Sequence, residues 1–255
     1  MKNIWAICKK EVKTYFTSPI AYVLITVFLV LVGFFFYSLV WWFNNYSSQA
    51  ARDPAYLQQL NINQMVFSPF FHNISIILLL TIPLLTMRLF AEEKKRQTDE
   101  LLYTSPISVS QIIIGKYAAS LFVLLVMLLL TGILSIITFA YGNPEFIPIL
   151  NGYLGLFLMG AAFIAVGIFF SSLTENQVVA AMLTFGALLL FWILNWAAGS
   201  ASGMWKDVLN YLSFFQHFDD LTQGILDTTD IVYYASFCFF GLFLTHSVIQ
   251  SRRWR

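Results

Sequence analysis

Six long apolar runs constrain this chain more than any other feature. They lie at about 20–43, 70–90, 111–140, 152–171, 178–198 and 231–250, and the central part of each contains no Asp, Glu, Lys or Arg. Each reaches the roughly 20 residues that a helix needs to cross the hydrocarbon of a bilayer. Backbone polar groups must be satisfied internally there, and a helix does so within one segment. The chain therefore reads as an all-α polytopic membrane protein with six transmembrane helices. Only 11% of its residues are charged, against about 25% in ordinary soluble domains. The first run is too long for a signal-peptide core and no small-residue cleavage site follows it, so it is expected to stay as an anchor. Cys8 falls near one membrane face and Cys238 within the last run, so no disulfide is expected.

Orientation follows from the basic residues. With the N-terminus inside, Lys2, Lys9, Lys10, Lys13, Arg88, Lys94, Lys95, Arg96, Lys116, Arg252, Arg253 and Arg255 are cytoplasmic, and only Arg52 and Lys206 lie outside. That asymmetry places both termini in the cytoplasm. Residues 1–255 are read as a single transmembrane domain. An amphipathic interfacial helix covers 1–17, with Ile4, Trp5, Cys8, Val12, Tyr15 and Phe16 on one face and lysines on the other. Ser18 and Pro19 suit the cap and first turn of the first span. A polar outer loop is expected over Asn44–Pro69, with a helical turn or two around Pro54–Leu60, and Pro83 is expected to kink the second span. Gly160, Ala161, Ala165 and Gly167 give the fourth span a small face for close packing.

Two connecting segments stand out. Residues 199–230 carry Trp205, Tyr211, Phe214, Phe215 and Phe218, too apolar for a solvated loop. One or two short helices at the outer face, dipping into the leaflet or packed on the bundle, would bury them. The inner segment 91–108 has seven charges between Glu92 and Glu100. In a helix, Lys95 with Asp99 and Arg96 with Glu100 could associate at i,i+4 spacing, Leu101 and Leu102 offer apolar surface, and Pro106 ends the helix. Ser108 with Gln111 reads as a capping box for the next span. Such a segment suits docking to a soluble partner; the alternative is a solvated loop held inside by its charges.

Several chemistries find no support. No Gly-x-x-x-x-Gly-Lys-Ser/Thr phosphate loop occurs: Gly115-Lys116-Tyr117 lacks both the upstream Gly and the hydroxyl residue. Uncharged span centres argue against a proton-coupled carrier. His217 with Asp219 and Asp220 has metal-binding residue types, but two of the three are adjacent and no second His is near, so capping or surface roles are the reading. His72 and His246 lie near helix ends, where interfacial packing is the ordinary role. Neither Gly-x-Ser-x-Gly nor His-Glu-x-x-His occurs. No catalytic residue, cofactor site or metal site is expected, and nothing points to nucleic acid.

The run Glu92-Glu93-Lys94-Lys95-Arg96-Gln97-Thr98-Asp99-Glu100-Leu101-Leu102, then Thr104-Ser105-Pro106-Ile107 and Gly115-Lys116, resembles type-2 ABC-transporter permeases. Gln97 stands where those permeases usually have Gly. The layout of interfacial helix, six spans and hydrophobic outer segment is similar along the full chain. His217-Phe218, Gly224-Ile225-Leu226-Asp227-Thr228, Asp230, Val232-Tyr233-Tyr234 and the terminal Ser251-Arg252-Arg253-Trp254-Arg255 resemble the gliding-motility-associated group of these permeases. The resemblance implies the membrane subunit of an ATP-driven transporter, usually an exporter, in the bacterial inner membrane. Cytoplasmic ABC ATPase subunits would hold the ATP and magnesium, and a second permease chain would complete a homo- or heterodimer. A periplasmic accessory protein and membrane lipids complete the implied partners. Glu92, Glu93, Arg96, Thr98, Asp99, Glu100, Leu101 and Leu102 would form the ATPase-coupling element. A membrane anchor for a motility or envelope assembly, with no substrate, is the competing reading, and an intramembrane enzyme comes third.

Overall fold

The computed structural model describes residues 2–50, 61–98, 107–200 and 202–253. Every regular element among them is helical. In order they are α1 (Lys2–Thr17), α2 (Pro19–Ala50), a π-helical turn (Asn63–Phe67), α3 (Ser68–Thr86) and α4 (Arg88–Lys95). There follow α5 (Val109–Tyr141), α6 (Phe146–Leu173), α7 (Gln177–Ser200), α8 (Met204–Leu212), α9 (Phe214–Thr222) and α10 (Thr228–Arg253). Six helical stretches are long and apolar enough to cross a membrane, with the π-helix, α3 and α4 forming one of them. The chain is a multi-pass, all-α membrane protein.

The first span continues to Ala50, so the polar loop expected from Asn44 begins later: Asn44–Gln49 are uncharged and simply extend the helix beyond the apolar run. The turns expected around Pro54–Leu60 lie outside the described residues. Ser18 Oγ accepts the N–H of Ile20 at 3.4 Å, as a cap at the start of α2. Ser108 caps α5 with its side chain on the N–H of Gln111. The Gln111 amide does not return that bond; its Oε1 accepts from Asn3 Nδ2 at 3.3 Å, which ties α1 to the start of α5.

α3 and α6 form the centre, each mostly enclosed by the other helices, while α2, α5, α7 and α10 leave broad apolar faces open. The small face of α6 serves the expected close packing. At Gly167 an added Cβ would lie 2.2 Å from Thr86 Oγ1, so no side chain fits between α6 and the end of α3.

At the far end of the bundle, α9 packs inward with Phe214, Phe215, Phe218 and Leu221 all buried. Its neighbour α8 has no buried residue and lies on the surface, with Trp205 73% exposed. The apolar 199–230 segment thus divides into one inserted helix and one amphipathic surface helix. Its histidine and acids do not converge. His217 Nδ1 meets Asp230 Oδ1 at 2.7 Å, and Asp219 Oδ1 meets His72 Nε2 at 2.5 Å. Each pair joins two helices, α9 to α10 and α3 to α9. Asp220 stays apart, its carboxyl raised above the ordinary value by burial and by the nearby Asp230 and Asp219 charges.

Candidate coupling site at the charged end of the bundle

The end of the bundle opposite α9 gathers α1, α4, the start of α5 and the end of α6. The path of the chain sets this up. Pro83 removes a helical N–H and crowds the preceding turn, and the second span breaks at Met87, between α3 and α4. Past the break, the N–H groups of Phe90 and Ala91 are satisfied from another helix. Ser171 Oγ accepts both, at 3.1 and 3.2 Å, and donates to Met87 O at 3.0 Å. One hydroxyl of α6 therefore holds the bend in place.

At the centre lies Lys116, 1% exposed. Its Nζ sits 2.8 Å from Glu93 Oε1, 3.0 Å from Glu11 Oε1 and 2.7 Å from Leu89 O. All three ammonium protons thus have an acceptor, and the Phe90 ring lies 5.1 Å beneath the charge. Lys10 closes the cluster from its exposed side, 3.9 Å from Glu11 and 3.8 Å from Glu93. Two carboxylates thus face two ammonium groups, and three helices share one ionic node. α1 reaches it because Gly115 leaves room: a Cβ there would lie 2.8 Å from Ile7 Cβ.

Other bonds brace the node. On the outer side of α4, Glu92 pairs with Arg88 at 2.9 Å and with Arg96 at 2.6 Å. Arg88 Nη1 also donates to Ser18 Oγ at 3.3 Å, at the joint between α1 and α2. Tyr15 Oη donates to Leu85 O at 2.9 Å, and burial pushes this phenol well above its ordinary pKa. Cys8, on the same helix, has its thiol raised first by burial and then by the Glu11 charge. Lys94 is buried and donates to Ser172 O.

α4 ends at Lys95 by a backbone motif. Gln97 N donates to Lys94 O and Thr98 N to Glu93 O, both at 3.0 Å, with Gln97 at φ +55. This is a Schellman cap, whose left-handed position favours Gly. The turn at Gln97 ends α4 inside the segment Glu92–Leu102; the expected pairs of Lys95 with Asp99 and Arg96 with Glu100 involve residues outside the described ones.

Of the expected coupling residues, Glu92, Glu93, Arg96 and Thr98 sit on or just after α4; Asp99, Glu100, Leu101 and Leu102 lie outside the described residues. Sequence reasoning missed Lys116, Glu11, Ser171 and the burial of Lys94. One usable signal existed, a lone Lys beside a Gly early in an apolar run, but nothing local names its partners.

Residues 5–249 match the family described as ABC-2 family transporter protein. The chain belongs to that family. An ABC-2 protein is the membrane permease component of an ABC transporter and is not itself the ATPase, which identifies the class of soluble partner as an ABC ATPase. No curated protein matches the chain in sequence.

Proposed function

We propose that this ABC-2 permease is an exporter subunit of the bacterial inner membrane, nearest the gliding-motility-associated group, paired with a second permease chain. In this reading the charged end faces the cytoplasm, where basic residues accumulate, and Glu92–Leu102 is the segment on which the ABC ATPase subunits act. Export and the subgroup rest on the sequence resemblance. The coupling role rests on one observation: the Glu93–Lys116–Glu11 node fastens α4 to α1 and α5 through buried charges. A flexible tether would absorb the ATPase movement. A segment locked to the third span at Lys116 and to the fourth at Ser171 passes displacement to helices that cross the membrane.

The experiment is a double substitution, Leu101→Ser with Leu102→Ser, in the native membrane. The expected result is normal insertion, weaker co-purification of the ABC ATPase subunit and loss of permease-stimulated ATP hydrolysis. Unchanged co-purification and stimulation would return the segment to an inner loop and favour the anchor reading.

A further inference from the structure

Far from α4, the start of the second span, the entrance to α6 and the turn after α9 line a half-open cavity of about 450 Å³. That volume falls within the roughly 300–1,000 Å³ of small-molecule sites. Its walls are fixed by specific bonds. Asn63, 8% exposed, donates Nδ2 to Glu145 O at 3.3 Å and accepts the Glu145 N–H at Oδ1 at 3.2 Å. Asn61 Oδ1 accepts the N–H groups of Asn63 and Gln64 at 2.9 and 3.3 Å. On the facing side, Asn151 Nδ2 donates to Gly224 O at 2.8 Å. Gly224, at φ +88, follows Gln223 and precedes Ile225 in the turn that forms this wall. Asn63 and Gln64 belong to the π-helical turn, a rare geometry concentrated at functional sites.

The remaining polar groups of the lining, among them those on Gln64, Glu145 and Gln223 at exposed positions, have no partner among the described residues. The Asn61 amide N–H groups, the Gln64 and Gln223 side-chain amides, the Ser68 hydroxyl and the Glu145 carboxylate line the cavity. None of them makes a hydrogen bond or ion pair to the described residues. Among the described residues neither Lys nor Arg contributes to this lining, and the Glu145 carboxylate repels anions, so phosphorylated or carboxylated ligands are disfavoured. An acyl chain would strand these polar groups without partners. Each primary amide offers two donors and an acceptor, and a carboxylate offers several acceptor positions; a molecule dense in hydroxyl groups matches that set. Pro148 and the exposed Ile225 add apolar surface to the lining for its C–H face.

We infer that this cavity binds a neutral sugar unit, its hydroxyls shared among Gln64, Gln223 and Glu145. The inference is independent of the coupling reading, because the site uses no residue of the charged end. Saturation-transfer NMR on the detergent-purified permease tests it, with glucose and N-acetylglucosamine as probes and glucose 6-phosphate as the anionic comparison. Transfer is expected to at least one neutral sugar and not to the phosphate. Gln64→Leu with Gln223→Leu should weaken binding about tenfold or more, the scale of a lost hydrogen-bond set, with the unfolding temperature unchanged. Should the pair destabilise the protein, Gln223→Leu alone, at an exposed turn position, should still reduce transfer. Leu101→Ser with Leu102→Ser should leave it intact. No transfer to either sugar, equal transfer to glucose 6-phosphate, or sugar binding unaffected by substitutions at Gln64 and Gln223 would overturn the assignment.

Discussion

Lys116 Nζ lies 2.8 Å from Glu93 Oε1, which joins the third span to the charged helix that follows the second. Glu11 of α1 shares the same ammonium at 3.0 Å. A buried ion pair of this kind adds little net stability over an apolar substitute. Removing one partner, however, leaves an uncompensated charge at a cost of about 3–5 kcal/mol.

Lys116→Met is therefore expected to destabilise the permease by about 3–5 kcal/mol, with two carboxylates left facing each other. Adding Glu11→Gln and Glu93→Gln to Lys116→Met should recover most of that loss. Equilibrium unfolding in detergent measures both. A single variant as stable as the parent would mean that the node is not closed in the folded protein.

Ser171→Ala strands the N–H of Phe90 and removes one partner from the Ala91 N–H and from the carbonyl of Met87, which is the N-cap of α4. The expected loss is about 1–3 kcal/mol, with faster amide exchange at residues 90 and 91. Ser172→Ala is the control. Its hydroxyl bonds only Phe169 O of its own helix, and the Ser172 carbonyl that serves Lys94 remains, so its effect should be much smaller.

Gln97 occupies the left-handed position of the α4 cap, where a side chain costs about 1–2 kcal/mol relative to Gly. Gln97→Gly should slow amide exchange across the last turn of α4, and Gln97→Val should speed it, because a β-branched residue tolerates positive φ least. The reverse order would show that the cap does not control that turn.

Much of this architecture was legible because bilayer thickness and backbone satisfaction leave apolar runs few options. The six spans, the Ser18 and Ser108 caps, the small face around Gly167 and the inserted Phe214–Phe215 helix all follow from local pattern. The failures share a cause. Lys116 reads as a helix-end cation, and only tertiary packing brings Glu11 and Glu93 to it. His217 reads as a capping or surface residue, but packing buries it against Asp230, while Asp219 reaches His72. The break at Gln97 was hidden because positive φ at a Gln has no sequence signature, whereas Gly would have signalled it.

The central claim is that the segment after α4 meets an ABC ATPase, and Thr98, exposed just beyond the α4 cap, reports on it most directly. Thr98→Cys, in a background with Cys8→Ser and Cys238→Ser, can carry a benzophenone for photo-cross-linking in native membranes. A covalent adduct between the permease and the ABC ATPase subunit is expected, with its yield reduced by Leu101→Ser and Leu102→Ser. Adducts to lipid alone, with none to an ATPase, would contradict the account.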